Sequence, residues 1–182
     1  MTIERQIQQM TRLVDDLLDV SRIRTGKLQL ECERIELCHI VGQALQAVQF
    51  LMQQRSHRVT VSFPESRLWL HGDPVRLEQV FVNLLTNAAK YTDAGGEVRI
   101  SVTQEGREAV LRILDTGIGI AADVLPHVFD LYLQVKSSSR NTGLGLGLPL
   151  VRSLVERHGG SVSASSAGLG CGSAFTVRLP LT

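Results

Sequence analysis

The sequence predicts an α+β fold: a two-layer α/β sandwich in which helices pack on one face of a mixed sheet, preceded by one amphipathic helix. Three observations lead there. The elements follow the order helix, two strands, helix, two strands, short helix, loop, helix, two strands, with no repeating βαβ unit to build a doubly wound parallel sheet. The helix expected after Asp73 carries Leu77, Val80, Phe81, Leu84, Leu85 and Ala88 on its core side. The stretches "EVRISVTQEGREAVLRILD" and "GSVSASSAGLGCGSAFTVRLP" alternate about glycine turns and read as two hairpins.

Each element can be justified in order. Ile3, Ile7, Met10, Val14 and Leu17 step by four and three, with Leu13, Leu18 and Ile23 widening the stripe, so residues 1–28 read as a helix that needs a partner helix. A hairpin or dimer stem accounts for that seam better than a first helix packed on its own domain. Residues 29–36 read as a linker. From Leu37 an amphipathic helix runs towards Met52, followed by the short strands "RVTVSF" and "RLWLHG". Asp73 is placed to cap the next helix, with Pro74 at its first position. That helix ends near Tyr91, and a short helix follows "DTGIGI". "QVKSSSRNTG" is a polar loop, and the helix "LPLVRSLVERHGG" precedes the closing hairpin.

Composition excludes several functions. The net charge of +1 gives no electrostatic basis for binding nucleic acid, and no apolar run is long enough to span a membrane. Cys32, Cys38 and Cys171 form no CxxC pair, and Cys32, Cys38 and His39 lack a fourth metal ligand at a usable spacing. Free, reduced cysteines in a cytoplasmic protein are the expectation.

Two glycine-rich stretches raise the question of phosphate. In "TGLGLGLPLV", Gly147 is followed by Leu148 and Pro149, so the lysine and hydroxyl of a P-loop are missing. "GIGIAA", from Gly117, follows a strand, but the acidic residue of a dinucleotide-binding unit is absent where "VKSSSR" stands. Asn83 and Asn87 lie four apart on one helix face, with Lys90 three further on. Two amides and an ammonium aimed at one place suit a phosphate–metal cluster, because an Asn oxygen can ligate Mg²⁺ and a lysine neutralises phosphate. Asp115, at the end of an apolar strand and before glycines, suits an acceptor for the exocyclic amine of adenine. A solvated helix edge and an ordinary Asp-Thr-Gly turn would explain any one of these residues alone.

Together, "RLEQVFVNLLTNAAKYT", "DTGIGI", "VFDLYLQV", "GLGLGLPLV" and "GLGCGSAFTVRLP" resemble the N, G1, F, G2 and G3 boxes of the histidine-kinase ATP-binding domain, in order, over about residues 35–180. The resemblance implies a Bergerat-type ATP-binding fold over residues 37–182. The start, "RQIQQMTRLVDDLLDVSRIRTGKLQL", resembles the second helix of the dimerisation hairpin, and the wording near Gly143 is most similar to hybrid sensor kinases. It implies ATP and Mg²⁺ as cofactors, with Asn87 ligating the metal and Asn83 and Lys90 contacting phosphate or its metal shell. Tyr91 would flank the nucleotide, and Asp115 would bond the adenine amine, with Gly117 and Gly119 leaving room for the ring. Gly143, Leu144, Gly145, Leu146 and Gly147 would form the hinge-end of an ATP lid whose backbone N–H groups face phosphate. Phe129 and Tyr132 would anchor the lid, and Lys136 and Arg140 would reach towards the γ-phosphate.

Two departures stand out. Leu144 replaces the usual G2 threonine, and none of His39, His57, His71, His127 or His158 lies in the family's phosphoacceptor context. The expectation is therefore a kinase fragment cut between the hairpin helices, able to bind ATP but not to phosphorylate itself. Its implied partners are the phosphoacceptor hairpin of the same kinase, a response-regulator receiver domain and a second copy in a full-length homodimer. The parent's attachment to a membrane is left open. Gyrase-type and Hsp90-type ATPases share the fold but carry a general-base glutamate where this chain has Asn83, which predicts slow hydrolysis. A degenerate nucleotide-binding or interaction module is the other alternative.

Overall fold

The computed structural model describes residues 28–130 and 145–182, together with Leu18, Asp19 and Arg22. Its elements are β1 (Glu33–Glu36), α1 (Leu37–Gln54), β2 (Arg58–Ser62), β3 (Trp69–Gly72), α2 (Pro74–Tyr91), β4 (Glu97–Glu105) and β5 (Glu108–Asp115). A 3-10 turn (Leu125–His127), α3 (Gly147–Arg157), β6 (Ser161–Ser165) and β7 (Ser173–Pro180) complete them. Five strands form one sheet in the order β2-β4-β5-β7-β6. β2 runs parallel to β4, while every other pairing in that sheet is antiparallel. This is the mixed sheet with helices on one face that the sequence predicts.

Alternation explains why the sheet has two unlike faces. Val98, Ile100 and Val102 of β4, Ala109, Leu111 and Ile113 of β5, and Phe175, Val177 and Leu179 of β7 point inwards and are buried. The other face is mostly polar, with Val110 and Leu114 of β5 among its apolar positions. There Glu105 accepts from Arg112 and Arg178, and Arg99 donates to Glu97. α2 lies between α1 and α3 and covers the inner face beside β5. Its stripe of Leu77, Val80, Phe81, Leu84, Leu85 and Ala88 is buried, as the spacing requires.

Two readings change, and one strand pairing could not be read from the sequence. Residues 29–36, expected as a linker, contain β1, which pairs antiparallel with β3 in a separate two-stranded sheet. Ile35 of β1 is buried in the core, as is Leu28 just ahead of it. Four residues with one buried position carry too little alternation to signal a strand, so pairing with β3 creates the element. β2 and β3 look like neighbours in sequence but belong to different sheets, because the chain crosses through β3 and α2 before β4 returns parallel to β2. The short helix after "DTGIGI" is only the three-residue 3-10 turn. The heptad seam at Ile3, Ile7, Met10, Val14 and Leu17 lies outside the described residues. Asp19 is buried at 5% exposure, where its carboxylate accepts from Arg76 at 2.6 Å and from Gln79 at 3.0 Å. Among the described residues, no helix is long and apolar enough to cross a membrane.

The start of α2 is fixed from three directions. Asp73 Oδ1 accepts from the N–H groups of Val75 and Arg76, both at 3.1 Å, and Oδ2 accepts from the Glu31 N–H at 3.0 Å. The Asp73 N–H donates to His158 Nε2 at 3.0 Å. That nitrogen must therefore be unprotonated, so Nδ1 carries the hydrogen and donates to the Leu154 carbonyl at 2.7 Å. His158 joins the C-terminal end of α3 to the N-terminus of α2. Asp73→Ala leaves three backbone N–H groups without their acceptor and is expected to lower stability by about 2–3 kcal/mol in urea unfolding.

The three cysteines are free; Cys32 and Cys171 are exposed, whereas Cys38 is half-buried in the first turn of α1. Burial, reinforced by the Glu36 carboxylate, pushes the Cys38 thiol up from 9.0 to about 11. That rise lowers the thiolate fraction about a hundredfold at pH 8. Iodoacetamide at that pH is expected to label Cys32 and Cys171 well before Cys38, as followed by peptide mass mapping.

Candidate functional site

The C-terminal end of α2, the exit of β5 and the entry of β7 converge on one cavity. It has a volume of about 120 Å³ and is lined by Asn87, Tyr91, Asp115, Ile118, Gly119, Ile120, Ala121, Val128, Leu148, Leu169, Ser173 and Phe175. Apolar side chains form most of its wall, and the polar groups come from few positions, as in a site for a largely apolar ring.

The polar floor follows from strand register. Ala109, Leu111, Ile113 and Asp115 share the inward face of β5, as Leu179, Val177, Phe175 and Ser173 share that of β7. Asp115 and Ser173 stand directly opposite each other, the one polar pair at the end of two apolar stripes. Asp115 is 9% exposed. Its Oδ1 accepts from the Gly117 N–H at 2.8 Å and the Ser173 N–H at 3.3 Å, while its Oδ2 accepts from the Ser173 hydroxyl. A buried carboxylate needs such donors. Three of its roughly four lone-pair positions are used, leaving Oδ2 able to accept one more donor from the cavity.

The loop after Asp115 is held tightly. The Ile118 N–H donates to the Tyr91 carbonyl at 3.1 Å, so the loop lies against the last turn of α2. A Cβ on Gly117 would come within 2.4 Å of that carbonyl oxygen and 2.7 Å of Asp115 Oδ1. The missing side chain thus makes room for α2 and for the carboxylate. Gly119 lines the cavity, but a Cβ there would meet the Gly168 carbonyl of the β6–β7 loop at 2.0 Å.

Along α2, Asn83, Asn87 and Tyr91 recur every four residues and therefore share one face. Asn87 and Tyr91 line the cavity. Asn83 stands beside the start of α3, where a Cβ on Gly147 would lie 3.8 Å from its amide carbon. Asn83 Nδ2 is buried with no hydrogen-bond partner among the described residues. Leu146, buried at 2% exposure, precedes α3, whose first turn has neither a capping side chain nor an acidic residue. The face of α2 therefore runs from the cavity to a helix N-terminus whose N–H groups and dipole favour an anion. Gly145 has φ +68, beyond the reach of most side chains.

Lys90 takes a different place from its neighbours. Its Nζ lies 5.0 Å from the centre of the Tyr91 ring, a cation–π contact that braces the ring against the cavity. Phe129 packs edge-on against Phe175, with centroids 6.3 Å apart and planes at 89°. Tyr132, Lys136, Arg140, Gly143 and Leu144 lie outside the described residues. Sequence reasoning missed Ser173, although its position in the inward stripe of β7 marked it as a polar residue at an apolar site. It also missed Ser166, Leu148 and Leu169, whose contacts depend on how loops fold back and leave no local signal.

Gly172 binds these parts together. Its φ is +70, and a Cβ there would lie 2.0 Å from the Asp115 carbonyl oxygen. Gly172→Ala is expected to cost more than about 3 kcal/mol, since it combines left-handed strain with a backbone clash. Ser173→Ala removes one hydrogen bond to the buried Asp115 carboxylate without a clash and is expected to cost about 1.5–2 kcal/mol. Thermal unfolding of the two variants side by side measures the difference.

Comparison with known proteins agrees with this geometry. Residues 72–182 match the family described as histidine kinase-, DNA gyrase B-, and HSP90-like ATPase. The chain is 40% identical over 185 residues to the sensor histidine kinase TrcS of Mycobacterium tuberculosis, covering 98% of this chain and 35% of that protein. It is 36% identical over 178 residues to the sensor protein KdpD of Escherichia coli K12, covering 98% of this chain and 20% of that protein. Among solved structures, the mycobacterial sensor histidine kinase MprB superposes with a TM-score of 0.72 at 28% identity, over 82% of this chain and 97% of that one. The chain thus spans about a third or less of the length of these two sensor proteins. It belongs to the family of histidine kinase-, DNA gyrase B- and HSP90-like ATPases.

Proposed function

We propose that this chain is the ATP-binding catalytic domain of a two-component sensor histidine kinase. It binds Mg-ATP and presents the γ-phosphoryl for transfer to a histidine on a dimerisation hairpin. One observation carries the reading: the face of α2 bearing Asn83, Asn87 and Tyr91 connects the Asp115 cavity with the uncapped start of α3. A nucleotide laid along that face has its base against Asp115 and its phosphates at Asn83 and the helix N-terminus.

The residues fit both ends of such a ligand. The free acceptor position on Asp115 Oδ2 suits the exocyclic amine of adenine, and the aliphatic walls suit the ring faces. Asn83, with a buried amide N–H that has no partner among the described residues, has a donor to offer phosphate oxygen. Asn87 offers an amide oxygen, a hard donor of the kind Mg²⁺ takes when it keeps most of its waters. Bound magnesium supplies charge neutralisation to the phosphates. The backbone N–H groups of Gly147 and Leu148 complete the anion site, since Pro149 has none and the Leu150 N–H donates to the Leu146 carbonyl. The lid residues Tyr132, Lys136 and Arg140 belong to the same reading.

An amide at Asn83 cannot take a proton from water, so the site lacks the general base that fast hydrolysis needs. Transfer to an incoming imidazole asks mainly for positioning and charge stabilisation. Residues 1–28 are proposed as the second helix of the hairpin, joined to the domain through a stretch that ends in β1. The phosphoryl acceptor is the hairpin of the same kinase, acting in a homodimer. A response-regulator receiver domain then accepts from that hairpin.

Calorimetric titration with a non-hydrolysable ATP analogue tests the reading. Binding should require Mg²⁺, fall sharply with EDTA, and weaken about tenfold or more in Asn87→Ala, equivalent to about 1.4 kcal/mol. Failure of the unaltered chain to bind the analogue would favour a degenerate interaction module instead.

A further inference from the structure

The loop between β6 and β7 carries a large apolar side chain to the mouth of the cavity and holds it there. Leu169 is 68% exposed, whereas every other residue lining the cavity is buried or half-buried. An isolated exposed leucine is ordinary on a protein surface. This one sits on a loop built onto the wall of the cavity itself. The Gly170 N–H donates to the Ile118 carbonyl at 2.7 Å, and the Gly172 N–H donates to the Gly117 carbonyl at 3.0 Å. The Ser166 hydroxyl accepts from the Ile120 N–H at 3.0 Å and donates to the Gly172 carbonyl at 2.6 Å. Gly119, at φ +69 and without a side chain, lets the Gly168 carbonyl approach closely. Four hydrogen bonds thus fix the backbone on both sides of Leu169, so ordering its side chain against a ligand costs little conformational entropy.

We propose that Leu169 is a base-binding residue: it covers the open face of the nucleobase while Asp115 and Ser173 hold the edge. The inference rests on the nucleotide reading of the cavity and adds a residue outside the segments that define the phosphate end. An apolar planar ligand removes the exposed leucine from water on binding, and this contact scales with ring area. Leu169 therefore contributes to affinity through the base alone. It belongs to the β6–β7 loop, whereas Asn83, Asn87 and the N–H groups of Gly147 and Leu148 that serve the phosphate end belong to α2 and α3.

The experiment combines ATP titration in the presence of Mg²⁺ with amide hydrogen exchange at Gly170 and Gly172, on the unaltered chain, Leu169→Ala and Leu169→Met. Expected is about a tenfold loss of ATP affinity in Leu169→Ala, near-complete recovery in Leu169→Met, and unchanged protection of both amides. Unchanged ATP affinity in Leu169→Ala overturns the proposal. Weakened affinity accompanied by lost protection also overturns it, because the leucine then acts by holding the loop. An unaltered chain that binds no ATP refutes the nucleotide reading instead, and does so before any variant is compared.

Discussion

The carboxylate of Asp115 is the point on which the site depends. It is buried where β5 ends, and it is stabilised by groups that come from two other parts of the chain: the Gly117 N–H of the following loop and the N–H and hydroxyl of Ser173 on β7. Burying an unaided carboxylate would be prohibitive. Satisfying it therefore dictates local geometry. The loop must turn back at once to bring Gly117 within 2.8 Å, and β7 must begin opposite the end of β5. That turn presses the loop onto the Tyr91 carbonyl, and only glycine tolerates the approach. The cavity is what remains between these commitments and the apolar residues around them.

The two ends of α2 have separate duties. At the start, Asp73, Glu31 and His158 tie the helix to the segment before β1 and to the last turn of α3. At the other end Tyr91, braced by Lys90, forms cavity wall and anchors the Ile118 loop. Anchoring the helix at its far end lets the face between carry Asn83 and Asn87 at fixed spacing. The buried histidine is part of this framework. With Nε2 accepting from Asp73 and Nδ1 donating within α3, both ring nitrogens are engaged in structure.

Much of this was legible in the sequence because it is written in short-range patterns. The Asp73–Pro74 start of α2, its apolar stripe, the Glu105–Glu108 hairpin and the placement of Asn83, Asn87 and Asp115 all follow from spacings of two, three or four residues. β1 was illegible, since four residues with one buried position have no periodicity and become a strand only by meeting β3. The same holds for Ser166, whose hydroxyl acts on Ile120 across 46 positions of chain. Lys90 illustrates a third limit. Helical spacing gives the face on which a long side chain starts, but its charged end finds the nearest π-face, here Tyr91, one position on.

Asn83 shows how one residue decides between chemistries that the fold alone does not separate. The position lies beside the start of α3, within reach of any anion held there. A carboxylate at that place would repel phosphate and accept a proton from water; an amide does neither. With its N–H buried and unpaired among the described residues, Asn83 has a donor to offer an anion at that place. Phosphate oxygen is such an acceptor, and the dipole of α3 favours it at the same point. On the proposed reading, an amide here leaves water unactivated, and phosphoryl transfer relies on a nucleophile from outside this site.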